Sequence, residues 1–267
     1  MTSVKHLIKC NERKSYSLFS YFCIQIDNVE MGYDWNERTA LLLGEERVEY
    51  LKNCHVLVVG LGGVGAYAAE MIARAGIGRM TIVDADTVNK SNINRQLPAL
   101  HSSIGKLKVE VVAARLRDIN PELQLTTLCE FVRDERTEAL LDSASFNFVV
   151  DAIDSITPKT DLMYHTTMRK IPLISSMGAG AQIDPSQIKV ADISKTFNCG
   201  LAKAVRQRLS KRGIKNGIAT VFSTELPNKE AIVLIDNEQC KISTSGTVSY
   251  MPAMFGCYLA SYVINNI

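Results

Sequence analysis

The sequence predicts an α/β protein: a doubly wound, mostly parallel sheet with a C-terminal α+β lobe on the same core. Three observations predict it. Short apolar runs alternate with helix-length segments from residue 55 to residue 175. A glycine-rich turn joins the first of these runs to the first helix that follows. Hydrophobic residues make up 46% and charged residues 22% of 267 residues, the balance of a globular chain rather than a disordered one.

The elements follow in order. Residues 55–60 form an apolar run that ends in glycine, which reads as a buried parallel strand. Residues 64–75 read as a helix with small residues on one face, and 79–84 as a second strand. Residues 106–120 read as a helix ended by Pro121. A third strand is expected over 124–128, a helix over 135–141, a fourth strand over 146–151, a helix over 158–169 and a fifth strand over 171–175. The pattern then changes. Residues 177–181 form a flexible crossing, 188–193 a strand and 201–212 an amphipathic helix with Leu201, Val205 and Leu209 in one stripe. Residues 231–235 form a last strand. From 242 to 267 there is no charge, and 248–264 reads as a buried or subunit-interface helix rather than a membrane span.

The N-terminal 30 residues differ from the rest. Lys5, Lys9, Arg13 and Lys14 precede an apolar run over 18–26, but no small-residue cleavage site follows. The segment reads as an extension, or as sequence upstream of a natural start at Met31, and in either case as poorly packed. The expected organisation is therefore an extension over 1–30, a nucleotide-binding domain over 31–176 and a lobe over 177–267.

Lys+Arg total 30 and Asp+Glu 28, which excludes a polybasic whole-chain binder but not a local basic patch. None of the seven cysteines forms a Cys-x-x-Cys pair. That argues against a zinc ribbon and a disulfide scaffold, and fits a reducing cytoplasm.

Gly60-Leu-Gly62-Gly63-Val-Gly65 follows a strand and opens a helix, the context that makes such a motif a nucleotide site. Gly60 permits the tight turn, Gly62 lets backbone approach phosphate, and Gly65 lets helix and strand pack closely. The helix N-terminus then offers N–H groups and partial positive charge to an anion. Asp84 and Asp86 close the second strand, where a carboxylate can accept ribose hydroxyl groups. Ser91-Asn92-Ile-Asn94-Arg95-Gln96, Gly105-Lys-Leu-Lys108 and Asp151-Ala-Ile-Asp154 come next. Strand ends converge on one crevice in such a sheet, so Arg95, Lys108 and an aspartate can meet around a triphosphate. Hydride transfer needs no such set. Attack on phosphate does, with cations to neutralise charge and Asp154 or Asp151 to hold Mg²⁺.

Taken together, these motifs resemble the adenylating domain of the ubiquitin-activating superfamily, with its Rossmann-like fold. The resemblance implies that Asp86 binds the ATP ribose, that Asn92, Arg95 and Lys108 contact the phosphates, and that Asp154 holds Mg²⁺. It leaves room for a bound monovalent cation. Downstream, Lys170-Ile-Pro-Leu, residues 178–185, Asp192-Ile-Ser-Lys-Thr196 and Val221-Phe-Ser-Thr-Glu225 resemble the tRNA threonylcarbamoyladenosine dehydratase family, as do Arg38-Thr-Ala and Gly44-Glu45. The resemblance covers residues 34–264. It implies an ATP-consuming cyclase that adenylates the threonyl carboxylate of a modified adenosine beside the tRNA anticodon and closes a ring. It also implies a homodimer, in which Arg38 or Arg47 reaches the partner's ATP, and contact with a cysteine desulfurase or sulfur-acceptor system; DNA is not expected as a partner. The alternative is adenylation of the C-terminus of a small ubiquitin-like or sulfur-carrier protein. One departure stands out: the family carries a cysteine where this chain has Thr220, with Cys199 and Cys240 as possible substitutes.

Between Asp192 and Glu225 there is no acid, while Lys195, Lys203, Arg206, Arg208, Lys211, Arg212 and Lys215 lie in that span. Such a face suits an RNA phosphate backbone and carries little base specificity.

Overall fold

The computed structural model describes residues 35–238 and 241–267, and their side chains apart from those of 234–243. The expected extension over 1–30, Met31 and Cys240 lie outside the described residues.

Two helices, α1 (Glu37–Leu43) and α2 (Glu45–Asn53), precede the sheet. Then β1 (His55–Val59), α3 (Gly65–Arg74), β2 (Arg79–Val83), α4 (Lys108–Ile119) and β3 (Gln124–Leu128) form one half. The other half contains α5 (Glu135–Asp142), β4 (Phe148–Asp151), α6 (Ile156–Met168) and β5 (Leu173–Ser176). The C-terminal part adds β6 (Ile188–Asp192), α7 (Gly200–Lys211), β7 (Ala219–Ser223), β8 (Ile232–Glu238), β9 (Lys241–Ser245) and α8 (Tyr250–Asn266).

Among the described residues, a seven-stranded sheet runs in the order β3-β2-β1-β4-β5-β7-β6. All neighbours are parallel except β6, which pairs antiparallel with β7 at the edge. The fold is thus Rossmann-like α/β. Every residue of β1 is buried because helices cover both faces. Val56 and Val58 point into a core with α3, α4 and α8; Leu57 and Val59 point into the opposite core with α5, α6 and α7. Strand order reverses between β1 and β4, the position where such sheets open a crevice.

Residues 219–223, which carry no strand expectation, insert as β7 between β5 and the edge. The C-terminal lobe therefore extends the same sheet, while β8 and β9 pair with each other apart from it. The helix expected from 106 starts at Lys108, because Leu107 is held extended in a bridge with Thr87. The helix expected from Pro158 starts at Ile156; a proline in the first turn loses no intrahelical hydrogen bond.

The uncharged C-terminal segment forms α8. Its buried stripes, Met251, Phe255, Leu259 and Val263 beside Pro252, Gly256 and Ala260, recur every four residues. Gly256 lets it approach α3 closely, since a Cβ there would sit 2.6 Å from the Val64 carbonyl. No helix among the described residues is long and apolar enough to cross a membrane. Glu70 pairs with Arg74 on α3 and ties α3 to α4 through Arg115. Burial alone would raise its pKa, but the two guanidinium groups hold it below the usual range.

Candidate active site

A cleft of about 650 Å³ opens at the C-terminal ends of β1, β2 and β4. Its floor is the glycine turn. Gly60 has φ +91°, and a Cβ there would meet the Ala152 carbonyl at 2.8 Å. A Cβ on Gly65 would fall 1.8 Å from the Gly60 carbonyl, so α3 can begin this close to the turn only with glycine. At Gly62 a Cβ would meet only Gln96 Nε2, at 3.7 Å, so that side faces open cleft. Gly63 lies under α8, where a Cβ would meet Pro252 at 3.0 Å. Gly60, Gly62 and Gly63 line the cleft; Gly65 sits behind it.

The two acids after β2 take different positions. The Asp84 side chain is 9% exposed and accepts hydrogen bonds from the backbone N–H of Leu61 at 2.6 Å and of Asp86 at 2.8 Å. It holds the glycine turn to the end of β2. Burial pushes the Asp84 carboxyl above its usual range, against the pull of Lys108 and these two donors. Asp86 has a side chain that is 69% exposed on the cleft wall. Its position suits a ribose, while that of Asp84 suits a brace.

Lys108 begins α4 and is 5% exposed. Its ammonium lies 2.7 Å from Asp86 and 4.0 Å from Asp84. Arg95 follows the turn built by the reciprocal Asn89–Asn92 hydrogen bonds. Its guanidinium donates to the Ser91 carbonyl and to Asn94 Oδ1, both at 2.8 Å. Asn92 accepts from the Asn89 N–H through its side-chain oxygen, so its amide donors are the end left for an anion. Arg95, Asn92 and Lys108 all line the cleft.

Asp154 is exposed and lines the same cleft. Asp151, the other candidate for Mg²⁺, is engaged inside the fold: it is fully buried, 2.7 Å from the Lys159 ammonium and 2.6 Å from Ser175 Oγ. Its second oxygen accepts from the Ile153 N–H at 3.0 Å. Asp151 therefore fixes the loop that carries Asp154. Sequence reasoning did not single out Lys159 or Ser175; their signal, a lysine five residues after Asp154 and a serine at a strand end, is bland without coordinates.

The basic segment divides by residue type. The three arginines are tied into the fold. Arg206 donates to the Thr196 carbonyl at 2.8 Å, Arg208 to Thr157 Oγ1 at 2.6 Å, and Arg212 pairs with Asp161 at 2.7 Å over the Tyr164 ring. Lys195, Lys203, Lys211 and Lys215 are exposed. Arg206, Lys211 and Lys215 line a shallow depression of about 660 Å³. Arg47 is also engaged within the chain, donating to the Ile264 carbonyl at 2.6 Å, whereas Arg38 is exposed on α1.

Thr220 is fully buried in β7, and its hydroxyl donates to the Ala191 carbonyl at 2.8 Å. That hydroxyl is engaged in sheet packing and is not presented to the cleft. Cys199 caps α7, its sulfur accepting from the Ala202 N–H at 3.5 Å.

Comparison with known proteins agrees with this architecture. The ThiF family model matches residues 36–267. The tRNA threonylcarbamoyladenosine dehydratase of Bacillus subtilis is 41% identical over 85% of this chain and 92% of its own length. The Escherichia coli enzyme of the same name is 44% identical over 72% of this chain and 75% of its own length. A crystal structure of E. coli tRNA N6-threonylcarbamoyladenosine dehydratase, TcdA, in complex with ATP covers 89% of this chain and 96% of its own at a TM-score of 0.78 and 38% identity. A glycine turn at the strand-order reversal, two cations and an aspartate on its walls, and likeness over nearly the full described length converge: the chain belongs to the ThiF family, among its tRNA threonylcarbamoyladenosine dehydratases.

Proposed function

We propose that this protein dehydrates threonylcarbamoyladenosine in tRNA at the expense of ATP. The observation that carries the reading is the cleft itself. Its glycine turn, Arg95, Lys108 and Asp154 face one volume in a chain that the Bacillus subtilis enzyme of this name matches over 85% of its length. ATP lies with its phosphates over the N-terminus of α3 and its ribose at Asp86. Asn92, Arg95 and Lys108 take the phosphate oxygens. Among the described residues no three metal-binding side chains cluster. Asp154 would hold Mg²⁺ together with phosphate oxygens and water. When bound it neutralises phosphate charge.

The threonyl carboxylate attacks the α-phosphorus, and pyrophosphate leaves. Arg95 and Lys108 stabilise the charge that builds on the phosphate oxygens. The ureido group of the same modification then attacks the acyl carbon and loses a proton. AMP departs with the former carboxylate oxygen, which makes the net change loss of one water. The cleft walls keep bulk water from the adenylate. Lys195, Lys203, Lys211 and Lys215 hold the RNA backbone.

The pairing of two copies belongs to the same reading. Helix α1 presents Arg38 with Leu41 and Leu42, which are 79% and 83% exposed, a face suited to a second protomer. Light scattering tests it: a single-protomer mass removes it.

The deciding experiment incubates the protein with Mg-ATP and tRNA bearing threonylcarbamoyladenosine, digests the tRNA mildly and weighs the nucleoside, with AMP assayed alongside. Loss of 18 mass units (one water) with equal AMP is expected, and Arg95→Ala and Asp154→Ala abolish both. AMP without a nucleoside change moves the reading to another carboxylate, such as a protein C-terminus. Absence of both products refutes the adenylating assignment.

A further inference from the structure

We infer that Phe197 is a stacking platform for an unpaired base of the bound RNA. The inference rests on the tRNA reading above and adds a nucleobase contact to a surface that otherwise offers only charge. Phe197 is 50% exposed, a large cost-bearing apolar surface in a segment otherwise rich in lysine and free of acid from 193 to 224. Lys195 lies two residues before it, and Lys203 is exposed on the following helix.

The ring is held, not loose. It packs edge-on with the buried Phe222, ring centres 5.6 Å apart and planes at 74°. On one side Arg206 clamps Thr196 through its carbonyl and hydroxyl. On the other, Asn198 takes a left-handed backbone, φ +54°, and its Nδ2 donates to the Thr224 carbonyl at 2.7 Å. A rigid ring pays little ordering cost when a base stacks on it. The position is also suitable. Cys199 touches the Gly178 site, where a Cβ would lie 3.7 Å from its sulfur, and Ala179 and Gly180 line the ATP cleft. An RNA loop delivering its modified adenosine to the cleft passes this ring with its unpaired bases splayed. Aromatic stacking is sequence-tolerant, which complements lysines that read only phosphate.

The test compares full-length wild type with Phe197→Ala, Phe197→Leu and Phe197→Trp on tRNA bearing threonylcarbamoyladenosine. Thermal unfolding serves as the fold control. Phe197→Ala and Phe197→Leu are expected to raise the KM for tRNA about 5- to 150-fold with the KM for ATP unchanged. Phe197→Trp is expected to restore it. A wild-type KM in the alanine variant, or leucine performing as well as tryptophan, overturns the platform while the tRNA reading stands. Wild type that leaves the nucleoside unchanged overturns that reading and the platform with it.

Discussion

Lys159 and Asp151 form an ion pair at 2.7 Å in which both side chains are wholly shielded from solvent. The pair joins the start of α6 to the end of β4, so the loop between them, which carries Asp154, is closed at both ends by one contact. Removal of the cation leaves a buried carboxylate with only Ser175 Oγ and one backbone N–H as partners. Lys159→Met is expected to cost about 3–5 kcal/mol in urea unfolding. Adding Asp151→Leu to that variant should recover part of the loss. A single variant as stable as wild type would remove the argument.

Asp84 and Asp86 should separate cleanly. Asp84→Ala strands the Leu61 and Asp86 N–H groups and is expected to lower stability by about 1–3 kcal/mol. Asp86→Asn keeps an oxygen for the nearly buried Lys108 ammonium, so the fold should be little affected while the KM for ATP rises roughly tenfold. Equal effects of the two variants on stability would contradict the division of roles.

The glycines separate in the same way. Gly65→Ala places a Cβ against the Gly60 carbonyl and should destabilise by about 1–3 kcal/mol or more. Gly62→Ala meets only open cleft, so the melting temperature should hold while ATP affinity falls. Calorimetric unfolding and ATP titration measure the two quantities on each variant.

His55 gives a pH dependence. It is buried at the start of β1, its Nε2 2.9 Å from Thr81 Oγ1. Burial, with the Arg79 charge adding, holds its pKa below the ordinary value of 6.5. The folded chain favours neutral imidazole, so this contribution to stability is full above 6.5 and is lost as pH falls through the lowered value. Urea midpoints at pH 7.5 and pH 5 should differ less in His55→Gln than in wild type.

The RNA surface predicts a salt signature. Replacing Lys195, Lys203, Lys211 and Lys215 together with glutamine should flatten the plot of log affinity against log salt by about 3 units. Arg212→Gln breaks the pair with Asp161 and should reduce stability with little change in that slope. An unchanged slope in the lysine variant would place the RNA elsewhere.

The sheet and its cleft were legible because sterics and periodicity write them locally. Gly60 and Gly65 have no substitute at their positions, and the first five strands announce themselves as apolar runs between helices. β7 was not legible: four successive buried residues, Thr220 to Ser223, carry no alternation, and their neighbours in the sheet come from distant β5 and β6. The split between Asp84 and Asp86 was also hidden, since two residues of separation put one side chain under the glycine turn and the other in the open. Asp151 and Asp154 were interchangeable on paper; Lys159 distinguishes them, and it acts only through tertiary packing. The basic span was visible as charge, but which cations brace the fold and which face outward depended on Thr157, Thr196 and Asp161.

Pro252 and Gly256 on α8 press against the glycine turn and the start of α3, nearly two hundred residues earlier in the chain. On the ribosome the turn is therefore made long before its outer neighbour. A nascent chain holding β1 to β5 has the strand order for nucleotide but not the wall that closes over Gly63. A ligand of this cleft therefore meets its complete wall only after the last helix has emerged.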